Sequence, residues 1–187
     1  MNAYDFDQTI FSPDSSYCFV KYCLRHYPRA VLRAVRPTAF AALLCLMKRA
    51  DTKVLKEAVF SFLPRLDNVE QIVKDFWEAH RACLEDWYLR QRREDDLILS
   101  ASPEFLLSPI CEELGVRLIA TPMDPYTGRI HGLNCHDEEK VRRFSLEYPD
   151  ASVENFYSDS LADTPMARIA EHAYLVKRGS LQPWPDL

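Results

Sequence analysis

The opening residues Asn2-Ala3-Tyr4-Asp5-Phe6-Asp7 read as a short strand ending in two acids, and no second strand-like run follows until Leu97. A strand this short can neither pair its backbone groups nor bury its faces by itself. It must join a sheet built from segments far downstream, so whatever lies between is carried as an insertion.

That intervening stretch, residues 16–93, has helical texture, with apolar residues recurring at three and four positions. The clearest case is Val69, Ile72, Val73, Phe76, Trp77, Cys83, Leu84 and Trp87, with Asn68 and Gln71 as N-cap and capping-box partner. Asp51 can cap a helix over Val54, Ala58, Val59 and Phe62, and Pro28, Pro37 and Pro64 punctuate the rest into about four helices. After Arg93 strand-like runs at 97–100, 116–120, 153–157 and 173–176 alternate with helical stretches near 103–114, 137–148 and 164–171. Such alternation predicts an α/β fold with a central parallel sheet covered by helices on both faces. The division that follows is an α/β core of residues 1–12 and 94–187 and a helical cap of residues 13–93.

A formal net charge of -5 with acids and bases intermixed argues against a nucleic-acid module, which would need a clustered basic face. The six cysteines contain no CxxC pair or metal-ligand rhythm; they predict reduced thiols and a cytoplasmic setting, without structural zinc. Asp5 and Asp7 stand where a signal peptide would need a basic and then an apolar segment. The apolar run 39–47 is too short for a bilayer of about 30 Å, so no membrane span is expected. It reads as a buried helix, with peripheral membrane contact as the other option.

Asp5 and Asp7 lie two positions apart at the carboxyl end of a strand, the edge at which open α/β sheets bind ligands. Two acids there repel unless compensated, and a divalent cation with a taste for hard oxygen ligands is the natural compensator; taken alone, such a pair is more often a solvated turn or cap. Ser100-Ala101-Ser102-Pro103 follows an apolar strand and opens a helix, with Ser102 as N-cap and Pro103 as first helical residue, a setting for an anion or for ordinary capping. Lys140 falls near the start of a helix beginning around Asp137, where a cation is disfavoured unless an anion sits beside it. Asp159 again follows an apolar strand, with Asp163 four residues on, either as a helix cap or near a metal.

Taken together, these segments resemble the haloacid dehalogenase superfamily, and within it the phosphoserine-phosphatase-like branch. Asp5-Phe6-Asp7-Gln8-Thr9 is similar to its DxDxT motif, Ser100 to its strand-end serine or threonine, Lys140 to its lysine, and the run from Asp159 to Asp163 to its DSxxD. The run from Gly132 to Lys140 is also similar to that branch, as is a helical cap between the first two motifs. The resemblance implies a Rossmann-like core and a Mg2+-dependent phosphatase acting on a small-molecule phosphate monoester. In that scheme Asp5 is the nucleophile and Asp7 the general acid and base. Ser100, Lys140 and the main chain at Ala101 hold phosphate, and Thr9 braces the loop on the phosphate side. Asp5, Asp7 through its main-chain carbonyl, and Asp159 ligate the metal, with Asp163 acting through water.

A dehalogenase needs no acid two residues after its nucleophile, so Asp7 points to hydrolysis of a phosphate ester. A phosphotransferase or mutase on the same scaffold, and a catalytically silent binding protein, are the alternatives. The sequence departs from the family pattern at Ser158 and Ala101, where glycine is common. Asp14 stands where phosphoserine phosphatases often carry a substrate-binding glutamate. The aromatic residues of the helical block are expected mainly to pack, with a few lining a pocket, and the five histidines show no ligand spacing.

Overall fold

The structure is a computed structural model that describes residues 1–185. Strand β1 (Asn2–Tyr4) is followed by six helices: α1 (Ser15–His26), α2 (Pro28–Val31), α3 (Val35–Leu46), α4 (Thr52–Val59), α5 (Val69–His80) and α6 (Asp86–Gln91). Strands and helices then alternate as β2 (Leu97–Pro103), α7 (Glu104–Leu114), β3 (Arg117–Thr121), α8 (Glu138–Glu147), β4 (Val153–Ser158), α9 (Thr164–Ile169), β5 (Ala170–Lys177) and β6 (Ser180–Pro183). The strands form one sheet in the order β3-β2-β1-β4-β5-β6, parallel except for β6.

β1 sits at the centre, and all three of its residues are buried, as expected of a strand flanked on both sides and covered on both faces. Alternation assigns the faces. Tyr4, Ile98 and Tyr157 join an apolar cluster with α5 and α7, while Ala3, Leu97, Leu99 and Phe156 join a second with Phe144 of α8 and Met166 of α9. Across the first face the rings of Tyr4 and Tyr157 stack at 4.7 Å, and those of Tyr157 and Tyr174 at 5.1 Å, tying three neighbouring strands together.

Of the helices between β1 and β2, α1, α2, α5 and α6 contribute buried side chains to the cluster on this tyrosine face. α5 presents Val69, Ile72, Val73, Phe76 and Trp77 as its buried stripe, and the Trp77 Nε1–H donates to the Leu106 carbonyl at 2.6 Å. Asn68 caps α5 by accepting from the Gln71 N–H, while the Gln71 side chain turns forward to Asp75. Phe11, Phe19, Phe60 and Phe62 share one cluster with Ile98, Leu106 and Ile110.

Four details differ from the sequence reading. The helical block contains six α-helices, because the short α2 and α6 lack the length to show a period. β2 runs on through Pro103, so Ser102 belongs to the strand and is no helix cap. β6 was not expected. α3 is a helix over the apolar run, yet only Ala41 of it is buried; periodicity reveals an apolar face without revealing whether anything covers it.

Candidate active site

Parallel pairing sets three sequence segments side by side at one end of the sheet. Tyr4 is in register with Ile98 on one side and Tyr157 on the other, and the Asp5 N–H continues the ladder by donating to the Tyr157 carbonyl at 2.8 Å. Asp5 and Asp159 therefore emerge together beyond the carboxyl ends of β1 and β4, beside Ser100 midway along β2. They line a cavity of about 250 Å3 with Asp7, Asp14, Ala101, Lys140 and Asp163.

Lys140, on the first turn of α8, is 2% exposed and donates to Asp5 Oδ1 at 2.6 Å and to Asp163 Oδ2 at 2.7 Å. Burial opposes its charge, but the two carboxylates outweigh it and hold the ammonium above its ordinary value. Burial also raises the Asp5 carboxyl above the usual carboxylate range, against Lys140 and with repulsion from Asp163 and Asp7. The Ser158 hydroxyl donates to Asp163 Oδ2, so a serine at a position where glycine is frequent helps orient that acid.

Asp7 is held from two elements. Its Oδ1 accepts from the Ser15 N–H at the start of α1, 2.6 Å away, and its Oδ2 accepts from the Ser102 hydroxyl. Burial, followed by the charge of Asp14, pushes its carboxyl up to about 6, while Ser102 and Ser15 pull it down. A carboxyl in this range can hold a proton near neutrality and also release it. Asp14 itself lines the cavity while accepting from the Tyr17 N–H as the cap of α1.

Thr9 stands behind the cavity. Fully buried, its hydroxyl oxygen accepts from the Asp159 N–H at 2.9 Å and joins the loop after β1 to the loop after β4. Ser100 accepts from the Ser102 N–H at 3.0 Å. Gln8, in the loop that carries Asp7, and Asp137, at the start of the helix that carries Lys140, are non-glycine residues at φ 57 each; such conformations persist only where surroundings enforce them.

Sequence reasoning missed Ser102 as a partner of Asp7, and it missed Lys56. From α4, Lys56 reaches into the cavity and donates to the Ala101 carbonyl at 2.6 Å and to Asn134 Oδ1 at 2.7 Å. Burial lowers its ammonium to about 8, partly offset by Asp7 and Asp14. The signal available was one of two lysines on a capped helix, with nothing to say which turned inward. The other, Lys53, donates to the Gly132 carbonyl at 2.8 Å. His136, read as a loop residue, is exposed and lines the cavity mouth.

The donor set suits a hard divalent cation. Five carboxylates line the cavity against two ammonium groups. The half-buried Asp159 carboxyl, raised by burial, accepts no hydrogen bond from another described residue. Among the described residues no three His, Cys, Asp or Glu side chains converge closely enough to hold an ion alone. Mg2+ does not require such a cage, since it commonly binds through one or two carboxylates, water and substrate phosphate.

The sequence matches the protein family described as haloacid dehalogenase-like hydrolase over residues 3–168. No curated protein matches it in sequence. Among solved structures, a protein of unknown function from Bordetella pertussis Tohama I superposes with a TM-score of 0.77 at 22% identity, covering 92% of this chain and 87% of that one. A phosphoserine phosphohydrolase-like protein from Francisella tularensis subsp. tularensis SCHU S4 gives 0.54 at 15% identity, covering 92% and 86%. A probable phosphoserine phosphatase from Vibrio cholerae gives 0.60 at 15% identity, covering 92% of this chain and 55% of that one. These likenesses concern the fold.

Proposed function

Because this chain belongs to the haloacid dehalogenase-like hydrolase family, we propose that it is a Mg2+-dependent phosphatase that hydrolyses a small-molecule phosphate monoester through an aspartyl-phosphate on Asp5. The observation that carries this reading is the buried bridge from Lys140 to Asp5 and Asp163 in the cavity that also holds Asp7, Ser100 and Asp159.

Asp5 attacks phosphorus, and Asp7, protonated, gives its proton to the departing oxygen of the ester; as carboxylate it then takes a proton from the water that cleaves the acyl phosphate. The Ser15 N–H and the Ser102 hydroxyl fix the direction of the Asp7 carboxyl for both transfers. Lys140 and the Ser100 hydroxyl balance charge on the phosphoryl oxygens, with the main chain at Ala101 beside them. Phosphoryl transfer rests on positioning and charge, so losing one such group is expected to cost about 3 kcal/mol of transition-state stabilisation.

Asp5, Asp159 and the Asp7 main-chain carbonyl would hold Mg2+, with Asp163 acting through water, and the ion when bound would neutralise charge on the phosphoryl group. Asp14 and Lys56, both in the cavity wall, would meet the leaving group in this reading. The thiols of all six cysteines are free, which accords with a cytoplasmic setting.

Release of inorganic phosphate from a panel of monoesters with Mg2+ tests the reading. Asp5→Asn is expected to abolish turnover with the thermal transition nearly unchanged. Retained turnover in Asp5→Asn would overturn the nucleophile assignment.

A further inference from the structure

The helices α1 to α3 carry a surface that the proposed chemistry does not use. Between Asp14 and Asp51 the sequence holds seven lysines and arginines and no Asp or Glu, within a chain of net charge -5. All seven are exposed, and none forms a salt bridge with a described residue. Among them stand Leu32, Val35, Phe40, Leu43, Leu46 and Met47, exposed by 60%, 55%, 64%, 52%, 83% and 48%.

The arrangement on α3 is the reverse of an ordinary surface helix, which turns its polar side to water. Arg36, Phe40, Leu43 and Met47 follow one another at four, three and four positions and share one stripe, bordered by Val35 and Leu46. Ala41, the only buried residue of α3, lies on the opposite side. Contiguous exposed apolar surface of this kind marks a contact site.

We propose that the outer face of α2 and α3 docks on an anionic phospholipid bilayer, with Phe40, Leu43 and Leu46 entering the headgroup boundary and Arg29, Arg33 and Arg36 meeting lipid phosphate. Cations interleaved with large apolar side chains, without acids, are the pattern of helices that lie in a membrane interface. No helix of the described residues is long and apolar enough to cross a membrane. A second copy of the chain fits less well, since a two-fold contact would set each cationic stretch against its own copy. The docking face adjoins helices of the cavity wall, for α2 packs on α1, whose cap Asp14 and first-turn residue Ser16 line the cavity, and α3 packs on α4, which supplies Lys56.

Co-sedimentation of the full chain with vesicles tests this without reference to turnover. Vesicles containing phosphatidylglycerol are expected to bind it at least about tenfold more strongly than pure phosphatidylcholine vesicles, with release by salt. The triple variants R29E/R33E/R36E and F40S/L43S/L46S change exposed side chains only, so their circular-dichroism melts should match the parent, and each is expected to lose about tenfold or more of that binding. Equal partition of the parent protein into both vesicle types, or unchanged binding by the folded variants, would overturn the proposal. So would the absence of binding in a protein whose self-association disappears in F40S/L43S/L46S, an outcome that assigns the face to a second copy.

Discussion

Lys140 Nζ lies 2.6 Å from Asp5 Oδ1, a contact between residues 135 positions apart. Because the ammonium also holds Asp163, replacing it strands two buried carboxylates together. Lys140→Met is expected to lose turnover and to lower stability by about 3–5 kcal/mol, the usual cost of breaking a buried ion pair from one side. Urea unfolding would check this. Stability equal to the parent's would mean that the three groups are not paired in solution.

The Ser102 hydroxyl donates to Asp7 and favours its carboxylate. In Ser102→Ala the Asp7 pKa therefore rises above its value of about 6. A proton donor works while protonated, so the falling alkaline limb of kcat/KM should move to higher pH. A limb that stays in place or moves down separates Ser102 from the proton-donating group.

Lys56 is held near 8 by burial, below its ordinary 10.5. The folded state therefore releases this proton before the unfolded chain does, and the penalty for burying the charge, present below pH 8, disappears as pH rises toward 10.5. Relative to Lys56→Met, the parent protein should gain about 1–2 kcal/mol of stability over that interval after allowance for solvent screening. Turnover of Lys56→Met at neutral pH should fall about tenfold or more if the ammonium meets the substrate. Denaturant midpoints at two pH values, with steady-state kinetics, decide both points.

Gly128 has φ +70, and a Cβ there would stand 2.6 Å from the Phe60 carbonyl oxygen. The loop between β3 and α8 thus lies directly against the end of α4. Gly128→Ala combines left-handed strain with overlap against rigid backbone and should cost about 2–4 kcal/mol. Gly132→Ala, at φ +89 with open space around its Cβ, should cost about 1 kcal/mol. Melting temperatures of the two variants test the order.

Much of this arrangement is legible in the sequence because Asp5, Ser100 and Asp159 each follow an apolar run of β1, β2 or β4, and parallel pairing of those runs then forces the three together. Where the reading failed, the cause is specific. Ser102-Pro103 carries the chemistry of a helix cap, yet pairing of Pro103 with Thr121 extends the strand and frees the serine for Asp7. β6 is exposed throughout and lacks alternation; its one local signal is the Arg178-Gly179 turn, both residues at positive φ, suited to a two-residue hairpin. Lys56 and Lys53 look alike on α4, and only the packed structure tells which enters the cavity. For α3, composition announced apolar character, while its solvent-facing orientation is a tertiary fact.

The central position of β1 has a consequence for how the molecule assembles. Ala3 finds its neighbours only at Leu97 and Phe156, so during synthesis both edges of this strand stay open while the helices that follow it can already form locally. Joining ends so distant in sequence carries a loop-closure cost that slows folding and prolongs exposure of an adhesive segment. Asp5, the proposed nucleophile, thus acquires its surroundings late, and a ribosome-bound fragment ending before β2 would be the species most in need of a chaperone.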